Sequence, residues 1–72
     1  MQKLDLRGIR CPISSANLKR FLKGQSSGTV IEVISDENDA RTDFPAVFKK
    51  AGATLQSFSE GAEYQTYTVV KN

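Results

Sequence analysis

The stretch Thr29-Val30-Ile31-Glu32-Val33-Ile34-Ser35 decides the architecture, because β-branched residues dominate it and turn-forming residues bound it on both sides. It reads as a central strand. Toward the N-terminus, Gln25-Ser26-Ser27-Gly28 is a loop by composition, and before it the spacing predicts a helix over Ile13 to Lys23, closed by Gly24. Pro12 stands in the first turn of that helix, where its missing N–H would have been unpaired in any case. Leu18, Phe21 and Leu22 share one face, Ser14 and Ser15 lie above them, and Lys19, Arg20 and Lys23 turn to water. Further back, Lys3 to Leu6 alternates polar and apolar residues, the pattern of a short strand with Leu4 and Leu6 on one side.

Toward the C-terminus, Asp36-Glu37-Asn38-Asp39 offers helix-capping side chains, and Ala40, Phe44, Val47, Phe48 and Ala51 form one helical face. Pro45 cannot donate to the carbonyl of Arg41, so an irregular turn is expected over 39–43. The regular helix should then start near Asp43 as N-cap and stop at Gly52. Thr54 to Ser59 and Glu63 to Lys71 read as two strands joined across Glu60-Gly61-Ala62. The order is βαβαββ. Helices alternating with the first strands and a closing hairpin imply an α/β (α+β) two-layer sandwich, with two helices packed on one face of a four-stranded mixed sheet.

Seventy-two residues make a single domain spanning 1–72, in which every large apolar side chain is needed because a chain this short buries only about 60% of its unfolded surface. One cysteine excludes an internal disulfide framework, and the absence of histidine removes the commonest general base and metal ligand. A triad or a histidine-metal site cannot be assembled from this chain alone. The net charge of +2 hides a segregation: residues 1–23 carry +5 and residues 32–43 carry −4. That distribution suggests one basic and one acidic end, suited to oriented docking with a charged protein. Asp36, Asp39 and Asp43 could ligate a cation, but their position in a helix-initiating segment favours capping, so neither metal nor cofactor is expected. No apolar run approaches the ~20 residues that span a bilayer, and Met1 to Asp5 lacks a secretory apolar core. The expectation is a cytoplasmic, monomeric protein without membrane insertion. Tyr64 and Tyr67 lack the interleaved basic residues of an RNA-stacking platform, which leaves nucleic acid as the least favoured partner.

Cys11 is the one strong nucleophile. It falls at the start of a helix, where unpaired N–H groups and the positive end of the helix dipole favour an anion, with Arg7 and Arg10 close along the chain. Such surroundings lower a thiol's pKa below the free value of about 8.5. A free cysteine can equally serve as a small buried hydrophobe, so the residues alone leave a reactive and a structural Cys11 open. Arg10 can stabilise a thiolate or touch a partner, and Ile13, near the mouth of the turn, is either a partner contact or partly buried. Asp5 is either a partner contact or a solvated strand residue.

The run Leu4-Asp5-Leu6-Arg7-Gly8-Ile9-Arg10-Cys11-Pro12 resembles the N-terminal signature of the TusA (SirA-like) sulfur-carrier family: a strand, a Gly-x-x-Cys-Pro turn and a helix. The likeness extends through the acidic turn and Asp43-Phe44-Pro45 to the final hairpin. It implies a cysteine, here Cys11, that takes sulfane sulfur as a persulfide from a cysteine desulfurase or rhodanese-like donor. The sulfur would pass to an acceptor protein serving tRNA thiolation, molybdenum cofactor assembly or sulfur metabolism. The chain would then be a sulfurtransferase-type carrier rather than a self-sufficient enzyme, with Arg7, Arg10, Pro12, Ile13 and Ser14 around the cysteine. Two departures stand out: Cys11-Pro12-Ile13-Ser14 replaces the family's usual Cys-Pro-x-Pro, and Asn38 stands where proline is frequent. A proline at 14 would stiffen the first turn without costing a helical bond, whereas Ser14 can turn its hydroxyl to backbone or to the cysteine sulfur. The competing reading is a non-catalytic interaction or regulatory module with a structural Cys11.

Overall fold

The computed structural model describes residues 2–10 and 12–72. The elements are β1 (Gln2–Asp5), α1 (Ile13–Lys23), β2 (Val30–Ser35), α2 (Ala40–Ala51), β3 (Ala53–Glu60) and β4 (Gln65–Lys71). The sheet order is β1-β2-β4-β3, with β1 parallel to β2 and the other two pairings antiparallel. The β-branched run is therefore internal, as its composition requires: a strand paired on both edges needs side chains that pack on both neighbours. Both helices cover one face. Ile31 and Val33 of β2, Tyr67 and Val69 of β4 and Ala53 of β3 meet Leu18 and Leu22 of α1 and Phe44, Phe48 and Ala51 of α2 in one buried core. The aromatic part is a cluster in which Tyr67 lies 5.4 Å from Phe44, 5.8 Å from Phe48 and 5.1 Å from Phe58 between ring centroids.

α1 has the bounds its punctuation dictates. It ends at Gly24, whose N–H bonds back to the carbonyl of Phe21 at 3.2 Å. The second helix corrects the sequence reading. It starts at Ala40 rather than near Asp43, and the expected irregular turn over 39–43 is already helical, with Asp43 N–H donating to the Asp39 carbonyl at 2.9 Å. Burial explains the difference: Ala40 and Phe44 are both in the core, and a full turn between them keeps them on one face. Pro45 is tolerated because it and Arg41 lie on the exposed side, where water can serve the carbonyl that proline leaves without a donor. α2 stops at Gly52, whose φ of 77° is the left-handed conformation that closes helices.

The charge segregation also takes an unexpected form. Because β1 and β2 are parallel neighbours, the basic N-terminal segment and the acidic segment lie side by side rather than at opposite ends. They are joined by Lys3–Glu32 at 3.7 Å and Arg10–Glu37 at 3.4 Å. Among the described residues, no helix is long and apolar enough to cross a membrane.

Candidate functional site

In a parallel β1-α1-β2 unit, the loop leaving β1 and the turn leaving β2 emerge at the same end of the sheet. Here they are tied together. Leu6 N–H donates to the Ile34 carbonyl at 2.7 Å, continuing the pairing one residue past β1, and Ile9 N–H closes a turn on the Leu6 carbonyl at 3.2 Å. Gly8 supplies that turn's φ of 82°, which a side chain would strain even though the space around it is open. Its N–H then donates to Asp36 Oδ1 at 3.0 Å, and two residues on Arg10 Nη1 reaches Glu37 Oε2 at 3.4 Å. The segment entering α1 is thus held at both ends by consecutive acids of the β2–α2 turn.

Of these acids, Glu37 is the buried one, with 8% of its surface exposed. A buried carboxylate is costly unless its oxygens are satisfied. Besides Arg10, it accepts from Asp39 N–H at 3.4 Å, and its own N–H donates to the buried Ser35 Oγ at 3.1 Å. The capping role expected of the acidic run is not what the structure shows. Asp36 receives Gly8 rather than a helical N–H, and at the start of α2 Asp39 makes no side-chain cap bond among the described residues.

Arg7 is committed locally. Its backbone N–H and Nε each donate to Asp5 Oδ1 at 3.0 Å, and Nη2 donates to Oδ2 at 2.7 Å. This guanidinium holds the Asp5 carboxyl well below the usual carboxylate range, at about 2. Arg7 also lies 5.3 Å from the centre of the Tyr64 ring, which brings the β3–β4 turn up against the same loop.

Cys11 itself lies outside the described residues. Its neighbours define the start of α1. Arg10 is exposed over 76% of its side chain despite the Glu37 pair. Pro12 is exposed, and Ile13 is 62% exposed, so it is a surface residue and not part of the core. Ser14 points the other way: it is fully buried, and among the described residues its hydroxyl has no hydrogen-bond partner. Its N–H donates to the Arg10 carbonyl at 3.0 Å. A proline at 14 would cost no bond within α1, as expected, but it would remove this bond between the loop and the helix. The first turn of α1 carries no acidic residue and no side-chain cap among the described residues.

The sequence reading missed Asp36 and Glu37 as braces and Tyr64 as a loop contact. The available signal was topological: two acids directly after a strand that runs parallel to the first one. Away from this loop, a concavity of about 280 Å³ opens between α2 and β3 and is lined by Arg41, Pro45, Leu55, Phe58 and Tyr67. It contains none of the residues that the sequence reading placed around Cys11. Burial pushes the Tyr67 phenol up, and Arg41 closes one side through a 2.9 Å bond to Glu60.

A two-layer α/β domain with a Gly-x-x-Cys-Pro loop braced at the foot of its first helix defines a class of small proteins with one cysteine at a helix start. The family described as Sulfurtransferase TusA matches residues 2–71. This chain belongs to that family. It is 36% identical over 64 residues to the sulfur carrier protein TusA of Allochromatium vinosum, covering 88% of this chain and 84% of the relative. It is 32% identical over 71 residues to a putative sulfur carrier protein of Archaeoglobus fulgidus, covering 99% and 97%. The fold is shared with the SirA-like protein of Desulfitobacterium hafniense (TM-score 0.76, 22% identity, 97% and 96% covered). It is also shared with a Helicobacter pylori protein solved in solution (TM-score 0.79, 17% identity, 99% and 97% covered).

Proposed function

We propose that this protein is a sulfur carrier whose Cys11 accepts sulfane sulfur as a persulfide and delivers it to an acceptor protein. The observation that carries the reading is the start of α1. The helix directly after Cys11-Pro12 has no acidic residue in its first turn and no side-chain cap among the described residues, so its positive end is left to an anion. Arg10 adds a cation beside it in the chain. Both favour the thiolate.

The chemistry needs little else. The Cys11 thiolate attacks the terminal sulfur of a donor persulfide, an S–S bond forms to Cys11, the donor's S–S bond breaks, and the donor leaves as a thiolate. The reverse attack by an acceptor thiolate returns Cys11 to its resting state. One zero-valent sulfur moves in each step, with no net oxidation, so a chain without histidine suffices. The donor would be of the cysteine desulfurase or rhodanese type, and Pro12 and Ile13, both exposed, would form the contact surface around the sulfur. The work would be done in the cytoplasm by a monomer.

Incubation with a cysteine desulfurase and free cysteine, followed by intact mass measurement, should show one added sulfur that a reductant removes and that Cys11→Ser never acquires. If wild type takes up no sulfur and is alkylated no faster than a model thiol, Cys11 is structural and the chain is an interaction module.

A further inference from the structure

We infer that Glu37 is a positioning residue for this sulfur chemistry, acting through Arg10; the inference rests on the carrier reading above. The two partners are unequally placed. Glu37 is anchored: 10% of its side chain is exposed, its N–H is fixed on the buried Ser35 Oγ, and its second oxygen accepts from Asp39 N–H. Arg10 is the exposed one, with 76% of its side chain in solvent and Glu37 Oε2 as its acceptor at 3.4 Å. A long side chain so exposed disperses its charge into water unless one end is tethered. Glu37 therefore decides where the guanidinium next to Cys11 in the chain spends its time.

The same tether acts on the backbone. Arg10's carbonyl accepts the N–H of Ser14, the bond that joins the loop to the first turn of α1. Gly8, two residues earlier, is held independently by Asp36. Glu37 thus secures the stretch from Arg10 into the helix, and Asp36 secures its upstream end. The acids have different roles: among the described residues, Glu37 is the one of the two that is ion-paired to the cation next to Cys11 in the chain, so its loss should change the thiol as well as the loop.

The test is a double-mutant cycle of wild type, Glu37→Gln, Arg10→Gln and the combination. The readouts are the rate of sulfur uptake from a persulfidated donor and the pH midpoint of Cys11 alkylation by a neutral reagent. Each single change should slow sulfur uptake about tenfold and raise the alkylation midpoint, and the combination should be no worse than the poorer single variant, because both remove one interaction. Asp36→Ala, which frees Gly8 but leaves the Arg10–Glu37 pair, should leave the midpoint where it is.

The inference is overturned if Glu37→Gln behaves as wild type, if the losses in the double variant multiply, or if Asp36→Ala shifts the midpoint as far as Glu37→Gln. Should Glu37→Gln fail to fold, Glu37→Asp keeps the charge but draws the carboxylate back from Arg10; a wild-type midpoint and uptake rate there refute the inference, and losses in both support it. Wild-type protein that takes up no sulfur refutes the carrier reading, whereas the alkylation midpoints still decide whether Glu37 governs the thiol.

Discussion

The two helices of this small domain begin in opposite ways. α2 opens directly after Asp36, Glu37 and Asp39 and has Asp43 in its first turn, so negative charge surrounds its positive end. α1 opens on Pro12, has no acid in its first turn, and follows a loop that carries Arg7 and Arg10. Neither start has a side-chain cap among the described residues. Filling such a site with an anion is worth about 0.3–1 kcal/mol at a surface. α2 takes this stabilisation and α1 does not; on the carrier reading proposed above, the start of α1 is the one left to the Cys11 thiolate.

The contrast can be broken most severely at α2, whose start is set by packing. Phe44 is fully buried one turn into that helix. Phe44→Ala should cost about 3–5 kcal/mol, enough to unfold much of a domain this size, as read from the shift in urea midpoint. A loss under about 1 kcal/mol would mean that the acids, not the core, place the start of α2.

At α1 the contrast can be inverted by giving its start the acid it lacks. Ile13 is exposed, so Ile13→Glu disturbs no core. Stability should rise by a few tenths to about 1 kcal/mol while sulfur uptake at Cys11 slows, because the new carboxylate occupies the field that favours the thiolate. Opposite signs in the two measurements are the diagnostic result; a gain in both would refute the idea that α1 is left open for Cys11.

Ser14 sharpens the comparison further. A buried hydroxyl without a partner costs about 1–3 kcal/mol, and the Ser14 hydroxyl has none among the described residues, so Ser14→Ala should raise stability by about 1 kcal/mol in the same denaturation experiment. A fall instead would show that the hydroxyl is engaged. The smallest effect concerns the loop's other cation. Asp5 titrates at about 2 against an ordinary 3.8 because Arg7 holds it. The folded value is the lower one, so the pair's contribution is complete above about pH 4 and fades as pH falls toward 2. NMR titration of the Asp5 carboxyl checks this. A midpoint near 3.8 would free Arg7 and give the α1 start a second available cation.

Much of this arrangement could be read from residue order. Pro12 and Gly24 bracket α1, and the β-branched run marks the inner strand, because both signals are local. The start of α2 was misread because the local rule for Pro45 was weighed without the burial of Ala40 and Phe44, which only the packed sheet supplies. The candidate cysteine was legible from its motif, but its braces were not. Gly8 and Asp36 are 28 positions apart, and Arg10 and Glu37 are 27 apart. Nothing in either sequence neighbourhood distinguishes a bracing acid from a capping one until β1 is known to lie parallel to β2.

One irregularity in the sheet bears on how such a chain stays in solution. β3 is an edge strand, exposed from Thr54 through Glu60, and it carries no charge before Glu60. Its pairing with β4 is interrupted between Leu55 and Ser57, where Gln56 has no counterpart. That extra residue lets Leu55 and Phe58, three positions apart, both face the helix side, opposite Val69 and Tyr67. It also kinks the outer backbone, so that a long uncharged edge is a poor template for a strand from another molecule. Bulges of this kind blunt an edge against pairing with another molecule, and here the register shift falls on the longer of the two edge strands.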